Sequence, residues 1–204
     1  MLCQTYLPDS AHGICDTCRD QLEQEMPWLV CTPPDQLDAL VCAARYGGQM
    51  RRAIADVKFR GRRAGLTPMA QLMTHAWETH HMPKPDAVTC VPVSPVRMHT
   101  RGFNQSAELA QRIAQQWDVP FVPMLRRRVL ARRQSVLHAH ARWDNAKRAF
   151  SLRDGAENLS GRQIVLVDDI VTTGATLSTC AGLLRGAGAS RVYGLALARA
   201  GENK

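Results

Sequence analysis

An α/β fold on a mainly parallel sheet, with a small cysteine-rich module at its N-terminus, is what this sequence predicts. Three observations carry the prediction. From Val41 onward, short apolar runs alternate with segments of helical spacing, the pattern of repeated βα units. The run Ile164-Val165-Leu166-Val167 is unbroken, as befits a strand buried on both faces. Residues 1–40, by contrast, hold Cys3, Cys15, Cys18 and Cys31, several prolines and little periodicity. The expected division is a module over 1–40 and an α/β domain over 41–204.

Taken in order, Val41–Tyr46 reads as a strand, Gly47-Gly48 as a turn, and Met50–Phe59 as a helix that brings Ile54, Val57 and Lys58 together. Leu66, Met69, Ala70, Met73 and Trp77 have helical spacing, and Pro83 and Pro85 end that helix. Ala87–Val93 is an apolar strand, and Pro92-Val93-Ser94-Pro95 a loop at its end. Phe103–Trp117 is a helix with Ala107, Ala110, Ile113 and Ala114 on its apolar face, and Val119–Val122 a further strand. Arg126–Arg148 has no apolar stripe and reads as an exposed loop followed by a polar helix. Gln163–Val167 is a strand, Ala175–Arg185 a helix ended by Gly186 and Gly188, and Arg191–Leu197 a last strand.

The chain has 204 residues, 45% of them hydrophobic, which suits one domain with a small appendage and excludes intrinsic disorder. No window approaches 18 consecutive apolar residues, so no membrane insertion is expected. Met1-Leu2-Cys3-Gln4 has neither the basic nor the apolar region of a secretory signal, which makes the cytoplasm the expected compartment. Seven cysteines, an odd number, then favour reduced thiols or a metal site over disulfides. Between Arg97 and Arg148 stand eleven basic residues and three acidic ones, a surplus equal to the net charge of +8 for the whole chain. That segment is either a site for a polyanion (a pyrophosphate, a nucleotide, a nucleic-acid backbone) or a solvated basic face.

The most informative stretch is Ile164-Val165-Leu166-Val167-Asp168-Asp169-Ile170-Val171-Thr172-Thr173-Gly174-Ala175-Thr176. Ligands of open α/β sheets bind at the carboxyl ends of the strands. Two adjacent carboxylates there are costly unless they coordinate something, and a sugar diol with Mg²⁺ suits them. Thr172–Thr176 supplies hydroxyls, a glycine for close backbone approach and a helix N-terminus, an anion cradle sized for one phosphate. The competing reading is a strand, a polar turn and a well-capped helix. There is no Walker loop, and Gly186-x-Gly188 follows a helix instead of opening one, so the usual nucleoside-triphosphate and dinucleotide readings fail.

These thirteen residues resemble the phosphoribosyl pyrophosphate (PRPP) signature of the type I phosphoribosyltransferases. The resemblance implies a Rossmann-like, mainly parallel sheet with helices on both faces. It also implies that Asp168 and Asp169 hold the ribose hydroxyls while Thr172, Thr173, Gly174, Ala175 and Thr176 wrap the 5′-phosphate. Further segments resemble the ComF family: Val57-Lys58-Phe59-Arg60-Gly61; Val91-Pro92-Val93-Ser94-Pro95 with Arg97; Arg101-Gly102-Phe103-Asn104-Gln105-Ser106; and Gln134, Leu137, Arg142, Asn145 and Ala149-Phe150. That family includes DNA-utilisation and late-competence proteins.

This second resemblance implies a protein that binds PRPP with Mg²⁺ and serves DNA uptake or the use of incoming DNA. Val93 and Ser94 would lie beside the phosphate cradle, and Arg97 and Arg101 would meet the pyrophosphate, for which a planar guanidinium fork is suited. With Asp168 and Asp169 they form the expected catalytic set. Arg101 is alternatively an exposed arginine at a helix start, Asn104 a helix cap, and Phe103 a core residue. Arg126–Gln134, with Arg126, Arg127, Arg128, Arg132 and Arg133, corresponds to a mobile lid; its arginines serve pyrophosphate or a nucleic-acid strand. Three roles stay open: a transferase with an unidentified acceptor, a nucleotide- or single-stranded-DNA-binding module without catalysis, and an adaptor for a membrane-associated DNA translocase or helicase.

Cys15-Asp16-Thr17-Cys18 has the spacing of a zinc knuckle, with Cys3 and Cys31 twelve and thirteen residues outside it. Four thiolates would close a structural Zn²⁺ site, and His12 is a conceivable substitute ligand. ComF proteins commonly carry two paired knuckles here, whereas in this chain Cys3 and Cys31 each lack a partner two residues away. The site is either rearranged or decayed. Cys42, Cys90 and Cys180 fall in strand or helix patterns and are expected to be buried.

Overall fold

The long strands β6 (Gln163–Val171) and β7 (Arg191–Arg199) form the centre of the sheet, and their alternation builds two cores. The computed structural model describes residues 29–128 and 149–201. Strand order is β1-β2-β7-β6-β3, with β1 at Leu29–Cys31, β2 at Ala39–Cys42 and β3 at Ala87–Cys90. All neighbours are parallel except β1, which runs antiparallel to β2. Val165, Val167, Leu195 and Leu197 face a core closed by α1 (Gly48–Arg60), α2 (Leu66–Thr79) and α4 (Gln105–Trp117). Ile164, Leu166, Val192 and Ala196 face the other core, closed by Leu177, Cys180, Ala181 and Leu184 of α5 (Ala175–Gly186). This is the three-layer arrangement that a parallel sheet requires to cover both faces.

Local details follow from the residues. The buried stripe of α1 is Met50, Ala53, Ile54 and Val57, at helical spacing, and Gly61 closes the helix in the left-handed region. Trp77 of α2 packs its ring 5.4 Å from Trp117 and 5.8 Å from Tyr193, and its indole N–H donates to the Pro83 carbonyl. Gly194 lets β7 approach β2: a Cβ there would come 2.8 Å from Leu40 Cδ1. Asp38, just before β2, accepts from Arg185 of α5 and from Arg191 and the Val192 N–H of β7. Partial burial opposes ionisation of Asp38, but those three donors prevail and hold its carboxyl below the usual range.

Five expectations need correction. First, the boundary at residue 40 falls inside the sheet, because Leu29–Cys31 pairs with β2; residues 1–28 lie outside the described residues. Second, β6 does not end at Val167. Pairing with β7 continues through Asp168, Ile170 and Val171, so the acid pair belongs to the strand itself. Third, a short helix α3 (Pro95–Arg101) follows the loop after β3. Ser94 caps it by accepting from the Arg97 N–H, and Pro95 opens it with a preset φ. Arg101 is therefore at a helix end, not a helix start. Fourth, Val119–Val122 makes only a single bridge, Phe121 to Val88. Fifth, Arg126 and Arg127 are not in a loop: β4 (Leu125–Arg127) pairs antiparallel with β5 (Phe150–Leu152). Among the described residues no helix is long and apolar enough to cross a membrane.

Candidate functional site

Three segments converge at the carboxyl end of β6. Asn104, the N-cap of α4, donates from Nδ2 to the Val91 carbonyl (3.1 Å) and accepts from the Ser106 N–H (3.1 Å). Ser106 Oγ in turn donates to Asp168 Oδ1 (3.1 Å), which also accepts from the Asp169 N–H (2.8 Å). The Arg101–Ser106 motif thus fastens the post-β3 loop and the acid pair to one helix start. On the other side, Lys58 Nζ of α1 lies 2.5 Å from Asp169 Oδ2, and both side chains are mostly buried.

The two carboxylates consequently differ. Asp169 has a cation of its own, whereas Asp168 is pushed up to about 7. Burial is the main cause and the Asp169 charge the next; the Asp169 N–H, Ser106 and Lys58 oppose them. With both acids ionised, the pair would carry one negative charge that no ion pair among the described residues answers.

Past the acid pair, the chain turns through Thr172 and Thr173 into α5. Gly174 makes the turn with φ +79°, a conformation that favours glycine, and offers the helix no side-chain cap. Thr173 Oγ1 accepts from the Ala175 N–H (3.4 Å). A small cavity of about 40 Å³ is lined by Asp168, Thr172, Thr173, Gly174, Ala175 and Thr176, together with the strand residues between. Backbone N–H groups and a helix dipole beside such a cavity can hold a phosphate. The β1–β2 connection also packs against Gly174: a Cβ there would collide with the Pro34 ring. A larger groove of about 1170 Å³ runs along α4 past Glu108 and Arg112 to Phe121, but shares no residue with this site.

The other expected residues are more dispersed. Val93 and Ser94 are half-exposed in the loop leading to α3. Arg97 is exposed on α3, and the Arg101 guanidinium lies 5.5 Å from the centre of the Phe59 ring. Phe103 is 6% exposed and belongs to the core. Arg126 is tied down by Ser151 and Asp154, Arg127 by the Phe150 ring, and the Arg128 N–H by the Ala149 carbonyl. The lid expected from Arg126 onward thus has an anchored base; Arg132 and Arg133 lie outside the described residues.

So do Cys3, His12, Cys15 and Cys18. Cys31 is buried in β1, its sulfur 3.5 Å from that of Cys42. Contact with Cys42, aided by Arg199 and opposed by burial, holds the Cys31 thiol down to about 7, while the same contact and burial push Cys42 up. Among the described residues no three His, Cys, Asp or Glu side chains gather as a metal cage. Cys90 and Cys180 are buried, as expected.

Sequence reasoning assigned no role to Lys58, Ser106 or Pro34. The signal for Lys58 was its place at the edge of the buried stripe of α1, next to Val57. Ser106 stood in the Arg101–Ser106 segment that resembles the ComF family, whereas Pro34 had no signal, because its partner is remote in the chain.

The chain has relatives among known proteins. A family model described as a phosphoribosyl transferase domain matches residues 100–204, so the chain belongs to the phosphoribosyltransferase-domain class. Competence protein F of Haemophilus influenzae is 31% identical over 90% of this chain and 78% of its own length. DNA utilization protein YhgH of Escherichia coli K12 is 34% identical over 93% and 79%. The chain is a member of this ComF family. Among solved structures, glutamine PRPP amidotransferase from B. subtilis, complexed with ADP and GMP, is 20% identical with a TM-score of 0.47, over 70% of this chain and 30% of that one.

Proposed function

We propose that this protein binds PRPP with Mg²⁺ at the Asp168–Thr176 site and acts in the uptake or use of incoming DNA. One observation carries the reading: Asp168, of an acid pair with a single ion-paired cation among the described residues, lines one small cavity together with the glycine-turned helix start a few residues later. Asp168 and Asp169 would take the ribose hydroxyls, and Thr172–Thr176 the 5′-phosphate.

The residues fit Mg²⁺. One or two carboxylates plus substrate phosphate oxygens are a donor set it commonly uses, and Asp168 is a carboxylate short of positive charge. Once bound, the ion would neutralise charge on a departing pyrophosphate. Lys58 fixes the Asp169 carboxylate, Ser106 orients Asp168, and Arg97 on the exposed face of α3 is the cation nearest in sequence to the Val93–Ser94 loop. If turnover occurs, it is displacement at the anomeric carbon of the ribose. The DNA role is supported by the names of the relatives, and single-stranded DNA and a DNA translocase or helicase are the partners proposed with it. Structural Zn²⁺ on Cys3, Cys15, Cys18 and Cys31 belongs to the same reading.

Calorimetric titration with PRPP, with and without Mg²⁺, tests the pocket. Wild type should bind, and Asp168→Asn with Asp169→Asn should weaken binding by about 1.5–3 kcal/mol for each charged hydrogen bond removed. No binding to wild type, or equal binding to the double variant, overturns the reading.

A further inference from the structure

Phe59 is 75% exposed, the most exposed large apolar side chain among the described residues. It is not a stray core residue. The buried stripe of α1 runs through Met50, Ala53, Ile54 and Val57, and Phe59 stands off it. Its neighbour Lys58 reaches Asp169, so the ring stands one residue from the acid pair's cation. Arg101, at the end of α3, places its guanidinium 5.5 Å from the ring centre and so joins the ends of α1 and α3 at the rim of the site. Val96 (73% exposed) and Met98 (46%) share that short helix. Three of the five exposed large apolar side chains among the described residues thus stand on the two segments that flank the site.

We propose that Phe59, backed by Arg101, is a stacking platform for a nucleobase whose own sugar phosphate lies at or next to the Asp168–Thr176 site. The proposal rests on reading that site as a sugar-phosphate site and names what adjoins it. An aromatic face carrying a guanidinium offers a flat partner to a planar base, and such stacking tolerates any base because every base has a π-face. Charge selects the class of ligand. Arg60, Arg62 and Arg97 are exposed on the same two segments or just beyond them, and Asp56 alone answers two of them. An anionic nucleotide or strand matches this rim, whereas an apolar protein surface would have to desolvate the arginines. Lys58 and Phe59 then divide the work: one side chain turns inward to the carboxylate, the next presents its ring to solvent.

The test uses the full-length protein, a 12-residue oligothymidylate labelled for fluorescence anisotropy, and thymidine 5′-monophosphate as competitor. PRPP is titrated in parallel by calorimetry. Phe59→Ala and Phe59→Leu should each weaken oligonucleotide binding about 5- to 100-fold, and Phe59→Tyr should stay close to wild type. Because stacking carries no charge, the salt dependence should keep its slope in Phe59→Ala. Competition by the mononucleotide, abolished in Phe59→Ala, identifies a single-nucleotide platform; competition only by longer oligomers identifies a strand. Wild type binding neither probe, or Phe59→Ala binding as wild type does, overturns the proposal. PRPP affinity should be unchanged in Phe59→Ala. Failure of wild type to bind PRPP, with oligonucleotide binding still dependent on Phe59, removes the pocket reading and leaves the platform standing.

Discussion

The Lys58 ammonium rests on the Asp169 carboxylate and acts on Asp168 only from farther off, so of two adjacent acids on one strand one is held in a direct ion pair with it. Lys58 comes from α1 and Asp169 from β6, and their ion pair ties that helix end to the strand.

Lys58→Met should therefore leave a largely buried carboxylate without its cation and destabilise the protein by about 1–3 kcal/mol. Asp169→Asn in the same chain should recover part of the loss. A double-mutant cycle in denaturant unfolding measures the coupling, and additive effects would show that the pair contributes nothing to stability.

Asp168 sets a pH dependence. Its value of about 7 in the folded chain lies above the ordinary 3.8, so between those values the folded state holds a proton that the unfolded chain has released. Stability from this group is present at low pH and is lost as pH rises through that window. Asp168→Asn should accordingly raise the melting temperature more at pH 8 than at pH 5, relative to wild type. Scanning calorimetry at the two pH values checks this, and an equal shift at both would mean that Asp168 titrates normally.

Gly174→Ala combines two penalties. The backbone sits at φ +79°, which costs a residue with a Cβ about 1–2 kcal/mol, and the added carbon meets the Pro34 ring. Destabilisation should exceed the backbone penalty alone. Pro34→Ala in the same chain should return only the steric part, since it leaves φ unchanged. Thermal unfolding of the two variants separates the contributions.

Zinc content tests the cysteine set. If Cys3, Cys15, Cys18 and Cys31 bind Zn²⁺, protein purified without chelators should carry about one equivalent. Cys15→Ser and Cys31→Ser should both release it, and Cys42→Ala should retain it. Elemental analysis of Cys31→Ser showing full occupancy would leave Cys31 as a sheet residue whose sulfur meets its neighbour in β2.

What was legible in the sequence had local causes. Ile164–Val167 and the helix after Gly174 declared themselves through an unbroken apolar run and a glycine at a helix start. Asn104 was readable as a cap because capping is a matter of two or three residues. The extension of β6 to Val171 was not readable, since aspartates are poor strand formers and only pairing with β7 keeps them extended. Arg126 and Arg127 looked like loop because three consecutive arginines show no period, yet β5, more than twenty residues later, pairs with them. Helix α3 was hidden in a proline-rich stretch, although Ser94-Pro95 is a serviceable start signal. Lys58 and Ser106 required the tertiary fold, because neither has its carboxylate within the same element.

The short connection between β1 and β2 touches both ends of α5, the helix that Gly174 opens. Pro34 stands against Gly174 at its start, while the Gln36 carbonyl and the Asp38 carboxylate take Arg185 at its finish. A ligand that steadied this connection where it lies would act on the start of α5, where phosphate binding is proposed, through a few side chains. Reciprocity then fixes the size of the return effect: if such a ligand tightens phosphate binding by some factor, phosphate tightens that ligand by the same factor. Titrating each in the presence of the other reads one coupling constant from two directions.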